Sequence, residues 1–380
     1  MNCIVCDVPI VDANDSEEHV VANAIGGRLK VRGVVCRLCN GTTGHTWDAV
    51  LANQLHPLSI MFDIKRERGE VPHLKATTIA GEQIYIRNDG SLHPAPTAPV
   101  TYTEGDNTLM RVTTPTIEEA KKVLETLQKR RFHKLDVEKE LSKAEEQWKF
   151  DSIFKFELGL GGVESGRAIV KAALTLALHN GVDARSCGNA LRYLRNPDAP
   201  VPYGFFFERD LVANRPDRTP LHCVAVSSRG NDGQLLGYVE YFGVHRMVVC
   251  LADDYRGPEM HRAYAINPHR GEELHIDFSI NISRQDMWRC YDYECLPEGT
   301  QVAAFHKVMP LAMQINQQRS IRDLAGKAAR YAFANCGAKP GEILTAEQTR
   351  KLSAVAAQFL APFLMHRLGR SAVNTEPAKS

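Results

Sequence analysis

The chain has 380 residues, 44% hydrophobic and 24% charged, and 46 Lys and Arg against 45 Asp and Glu give a formal charge of +1. Values this close to ordinary globular usage exclude wholesale disorder, collagen-like repeats and a coiled coil. The length allows two or three domains at roughly 100–200 residues each, and near-neutral charge confines any nucleic-acid contact to local basic faces.

Residues 1–60 hold two cysteine pairs and Gly26-Gly27, then run into an expected helix over 43–54. Residues 73–79 and 83–87 alternate around Ala80-Gly81-Glu82 and predict a hairpin, and the Pro-rich run 94–99 reads as an extended connector. Thr116, followed by Glu118 and Glu119 and later by Lys129 and Arg130, opens a capped helix. The apolar run 168–178 predicts a buried helix stopped by Asn180-Gly181. Runs 221–227, 234–242 and 245–251 are β-rich and broken by turn residues, and 263–266 with 274–280 reads as a further strand pair. Helices return at 314–334 and from Thr345, which starts a capping box, and 371–380 is expected to be disordered. The fold class is therefore α+β: a module over 1–60, a connecting hairpin and helix over 61–150, and an α+β domain with an antiparallel sheet and C-terminal helices over 151–370.

No apolar run approaches the ~20 residues that cross a bilayer. The opening Met1-Asn2-Cys3-Ile4-Val5-Cys6-Asp7 lacks the basic and apolar regions of a secretory leader. A cytoplasmic chain with no membrane partner is expected, and in that reducing setting clustered thiols read as metal ligands. Cys3-x-x-Cys6 and Cys36-x-x-Cys39 are two such pairs. Each tight turn aims two sulfurs at one ion, so the four predict a closed tetrahedral site for a structural zinc. Between them lies Glu18-His19, and Asn40 follows the last cysteine.

Cys3, Cys6, Glu18, His19, Gly26-Gly27, Cys36, Cys39 and Asn40 resemble the zinc-stapled branch of the HNH endonucleases, with their ββα-metal fold. Gly44 and Asp48 extend the likeness to a bacterial subfamily, and the resemblance covers about residues 1–55. It implies that His19 activates water against a DNA phosphodiester while Glu18 and Asn40 hold one catalytic Mg²⁺ or Mn²⁺. Such an oxygen-rich, incompletely filled site suits these hard cations, and a histidine near pKa 6.5 is available as a base. Glu18 stands where the family more often has Asp, and no Asn occurs over 31–33, where the family has one that orients the histidine. A backbone carbonyl is the expected substitute.

On a helix continuing from Asn40, Gly44 and Asp48 follow at i+4 and i+8 and stay on one side, so Asp48 either binds the metal or holds a metal ligand in place. Arg28, Lys30, Arg32 and Arg37 gather around the site as candidate phosphate contacts. Arg319, Arg322, Lys327 and Arg330 form a remote basic face. The remaining cysteines and the histidines of the sheet region lack metal spacing and read as structural. The chain thus reads as a metal-dependent endonuclease, with the larger domain selecting substrate, binding a regulatory partner or forming a homo-oligomer. By analogy its role is bacterial restriction or anti-phage defence. The alternative is a zinc-ribbon binding module without catalysis.

Overall fold

The computed structural model describes residues 1–67, 69, 71–79, 81–88, 90–95, 99–104, 107–114, 116–145, 154–155, 158–229 and 233–373. The chain falls into two compact units: Met1–Pro72 with Glu157–Asn316, and His73–Phe156 with Gln317–Ser380. Both are mixed helix and antiparallel sheet, so the architecture is α+β.

The first unit is built on a six-stranded sheet in the order Glu272–Glu273, His261–Asn267, His222–Arg229, Gln234–Tyr241, His245–Ala252, Tyr203–Phe205. Every residue of Gln234–Tyr241 is buried, which means both faces of the sheet are covered. Leu236 and Tyr238 point into a cluster with Phe206, Leu211, Phe278, Ile280 and Met287. Successive side chains alternate faces, so Gly237 points the other way, where a Cβ would come within 2.8 Å of the Ala173 methyl. The absent side chain lets the helix Val163–His179 lie directly on the sheet. That helix starts five residues ahead of the apolar run and ends at Asn180, with Gly181 in the left-handed region, as expected. Buried between this sheet and the N-terminal segment, it has no need of a polar face.

The three central strands stand within two residues of their expected bounds. Residues 231–232 of their first turn lie outside the described residues. The expected pairing of 263–266 with 274–280 stops at its first residue. His261–Asn267 lies on His222–Arg229 along one edge; along the other it pairs with Glu272–Glu273 and accepts the Leu274 N–H at the Ala265 carbonyl, and the chain then leaves the sheet. Ser279 N–H donates to the Leu211 carbonyl instead, and Ala213 N–H to that of Asp277. An alternating apolar segment can pack across a sheet face as well as within a sheet, and Ile276, Phe278 and Ile280 do so.

In the second unit the expected hairpin is Leu74–Thr78 with Gln83–Ile86, inside a four-stranded sheet. The Thr116 hydroxyl caps Ile117–Arg130 by accepting the Glu119 N–H at 3.2 Å. The C-terminal helix Thr300–Asn335 begins well ahead of 314 and spans both units. Thr345 and Gln348 form the predicted capping box at the start of Ala346–Val373. That last helix takes in residues 371–373, expected to be disordered; 374–380 lie outside the described residues, as do 96–98 of the Pro-rich connector. No helix among the described residues is long and apolar enough to cross a membrane.

Candidate active site

The two cysteine pairs converge. The Sγ atoms of Cys3, Cys6, Cys36 and Cys39 lie within 4.8 Å of one another, and Cys6 and Cys36 approach to 3.8 Å. That is the sulfur separation a tetrahedral zinc with bonds of roughly 2.3 Å requires. Among the described residues this is the one grouping of its kind, and four thiolates with no vacant position fit a structural zinc. Arg195, from the helix Gly188–Arg195, ties the first knuckle down by donating to the carbonyls of Cys3 and Ile4 at 3.2 and 3.1 Å.

Cys36 caps the helix Arg37–Thr43, so the second knuckle doubles as a helix start. Ahead of it, Glu18–His19 pairs antiparallel with Lys30–Val31. The connection turns at Gly26, with φ +99°, and Gly27 then passes so close to the preceding strand that a Cβ would sit 1.7 Å from the Val21 carbonyl oxygen. Two short strands and a helix around a metal knuckle result.

Adjacent residues of a strand face opposite ways, and Glu18 and His19 do. Glu18 is 2% exposed and places Oε1 2.7 Å from Lys171 Nζ. The same ammonium lies 2.7 Å from Asp48 Oδ2 and 3.4 Å from Thr43 Oγ1. Burial works against the charge on Lys171, but the two carboxylates outweigh it and hold the amine above the ordinary lysine range. The other oxygen of Glu18, Oε2, is buried with no hydrogen-bond partner. His19 is partly buried, its Nε2 3.6 Å from Glu67, and Glu67 also pairs with Lys30 at 2.8 Å. Burial first, then Lys30, push the imidazole below the usual histidine range, against an opposing pull from Glu67. Asn40 donates from Nδ2 to the Glu17 carbonyl at 2.9 Å and to Ser16 Oγ at 3.1 Å, lashing the helix to the strand and turning its Oδ1 the other way.

A family model described as HNH endonuclease matches residues 3–56. The N-terminal module is of the HNH endonuclease family. Comparison with curated proteins and with solved structures returned no match. An HNH module implies a nucleic-acid substrate, and the cysteine cluster is consistent with the zinc-stapled branch of that family.

Within the HNH module the helix does not continue regularly from Asn40. Gly44–Asp48 is a π turn, which takes an extra residue per turn and voids the i+8 spacing from Asn40 to Asp48. Asp48 reaches inward to Lys171. Of the four basic residues expected at phosphates, Arg28 donates to the Lys65 carbonyl at 2.8 Å and Lys30 pairs with Glu67. Arg32 pairs with Glu17 at 3.0 Å, and Arg37 is exposed. On the remote face, Arg319 is 5% exposed and donates to the Asn88 carbonyl, while Arg322, Lys327 and Arg330 face outward.

Two site residues escaped the sequence reading. Glu67, beyond the matched segment, stands 3.6 Å from His19 Nε2, a nitrogen with no hydrogen-bond partner, and no backbone carbonyl takes the orienting place expected there among the described residues. Lys171 was visible only as a lone charge in an otherwise apolar helical run.

Proposed function

We propose that the chain is a metal-dependent endonuclease that hydrolyses DNA phosphodiester bonds at the HNH module. The observation that carries this reading is the orphaned Glu18 Oε2, buried inside an HNH module. A buried carboxylate oxygen without a donor is costly unless a cation takes it, and hard oxygen donors suit Mg²⁺ or Mn²⁺. The donor set therefore fits such an ion, with Glu18 and Asn40 holding it. When bound it supplies positive charge to the phosphate oxygens as negative charge develops there.

The chain's own residues do the rest. His19, neutral near pH 7, takes a proton from the water that attacks phosphorus, and the ester oxygen leaves as the P–O bond breaks. The Glu67 carboxylate, 3.6 Å from Nε2, favours the imidazolium that forms. Arg37 and the outer edges of Arg28, Lys30 and Arg32 meet the flanking phosphates. By family analogy the role is restriction or anti-phage defence.

Zinc-loaded protein with Mg²⁺ or Mn²⁺ is expected to nick supercoiled plasmid. His19→Ala should lower nicking by at least about 100-fold, in the range of a lost general base, with zinc content unchanged. Full activity in that variant would remove the assignment. A binding module without catalysis is favoured by one observation, that both site carboxylates already share the Lys171 ammonium. It predicts no metal-dependent cleavage of DNA or RNA.

A further inference from the structure

Lys171 sits in the middle of Val163–His179, flanked by the buried residues Ile169, Val170, Ala172 and Ala173. An ammonium in such surroundings persists only when its charge is matched. Its three N–H groups face three acceptors, Glu18 Oε1, Asp48 Oδ2 and Thr43 Oγ1, all supplied by the HNH module. Three donors and three acceptors saturate the group. The geometry also divides Glu18 in two, one oxygen bound by Lys171 and the other bound by nothing. Take the ammonium away and two carboxylates would border a shared space, a natural seat for a hard divalent ion.

We propose that Lys171 is a positioning residue of the nuclease site: an internal cation that fills the space between Glu18 and Asp48 and leaves Glu18 Oε2 as the carboxylate oxygen that meets the divalent ion. The inference rests on the nuclease reading above. It assigns Asp48 to the lysine rather than to the metal, and it gives the helix Val163–His179 a part in the chemistry.

The experiment uses full-length, zinc-loaded protein with Mn²⁺ as the probe, following free Mn²⁺ by electron paramagnetic resonance and thermal unfolding with and without Mn²⁺. Lys171→Ala opens the seat between the carboxylates. Mn²⁺ binding is expected to tighten at least tenfold and to raise the unfolding temperature more than in the wild type, while plasmid nicking falls at least a hundredfold. Lys171→Ala with Asp48→Asn should cancel the gain in binding. A merely structural lysine would lower binding and nicking together, so unchanged or weakened Mn²⁺ binding in a zinc-retaining Lys171→Ala protein overturns the proposal. If that variant does not fold, Lys171→Gln, which keeps a long polar side chain without the charge, carries the same expectation and the same overturning result. Wild-type protein that neither binds Mn²⁺ nor nicks would retire the nuclease reading itself. Wild-type binding and nicking without a gain in the lysine variant would retire only the role of Lys171.

Discussion

His222 and His245 each open a central strand of the sheet and are fully buried. His222 is locked as the neutral ring, with Nε2 donating to the Ile25 carbonyl at 2.8 Å and Nδ1 accepting the Phe242 N–H at 3.2 Å. His245 lies among Phe205 and Tyr241, and neither of its ring nitrogens has a hydrogen-bond partner. Burial brings both down to about 4. Between pH 6.5 and 4 the unfolded chain therefore takes up protons that the native chain refuses, and stability present at neutral pH is lost as pH falls through that window. Each histidine contributes about 3 kcal/mol to that loss. Urea unfolding at a series of pH values should show the decline, and His245→Phe should make it shallower by about 3 kcal/mol across the window; an unchanged slope would exclude His245 as a source. The residue scale is also where sequence reading is most uneven. The four cysteines were legible because a Cys-x-x-Cys pair is a matter of local spacing. Lys171 was not, because a charge inside an apolar helix has no meaning until its partners are known, and those partners are 123 and 153 residues distant.

At the level of elements, the β-rich runs and capping boxes could be read directly, since strand alternation and capping are contacts between near neighbours. The π turn at Gly44–Asp48 could not. Nothing in Gly44-His45-Thr46-Trp47-Asp48 announces an added residue; the turn forms where Asp48 meets a lysine from another helix. The knuckles follow the local rule, and their dependence on metal can be checked. Stripping zinc removes binding free energy on the order of 10 kcal/mol from a segment held by two-residue strands. Hydrogen exchange by mass spectrometry is expected to show residues 1–43 losing protection on chelation, while Gln234–Tyr241 and His245–Ala252 keep theirs. Protection retained over 1–43 would mean that packing alone, including the Arg195 anchor, holds the module.

For the whole molecule, the HNH module is embedded rather than appended. Tyr264 accepts the N–H groups of Arg28 and Leu29 through one hydroxyl, His269 donates to the Phe62 carbonyl, and Phe62 stacks on Phe242 at 5.2 Å. These contacts all lie within the first unit, which is assembled from both sides of the segment 73–156. Residues 1–72 alone should bind zinc but lack a fixed tertiary structure, with poorly dispersed amide resonances, and should not nick plasmid. A well-dispersed, active fragment would show the contacts to be dispensable. Composition and motif indicated that a zinc module and an antiparallel sheet were present. That they share one core could not be read, because it depends on surfaces separated by more than a hundred residues.

One consequence concerns synthesis. Glu18 and Asp48 leave the ribosome before Lys171, and the ammonium that joins them comes 123 residues after Asp48. A chain growing from its N-terminus therefore carries the knuckles and both acids for most of that interval without the cation that arranges them. On the nuclease reading proposed above, a copy that ends before Lys171 is expected to lack cleavage activity.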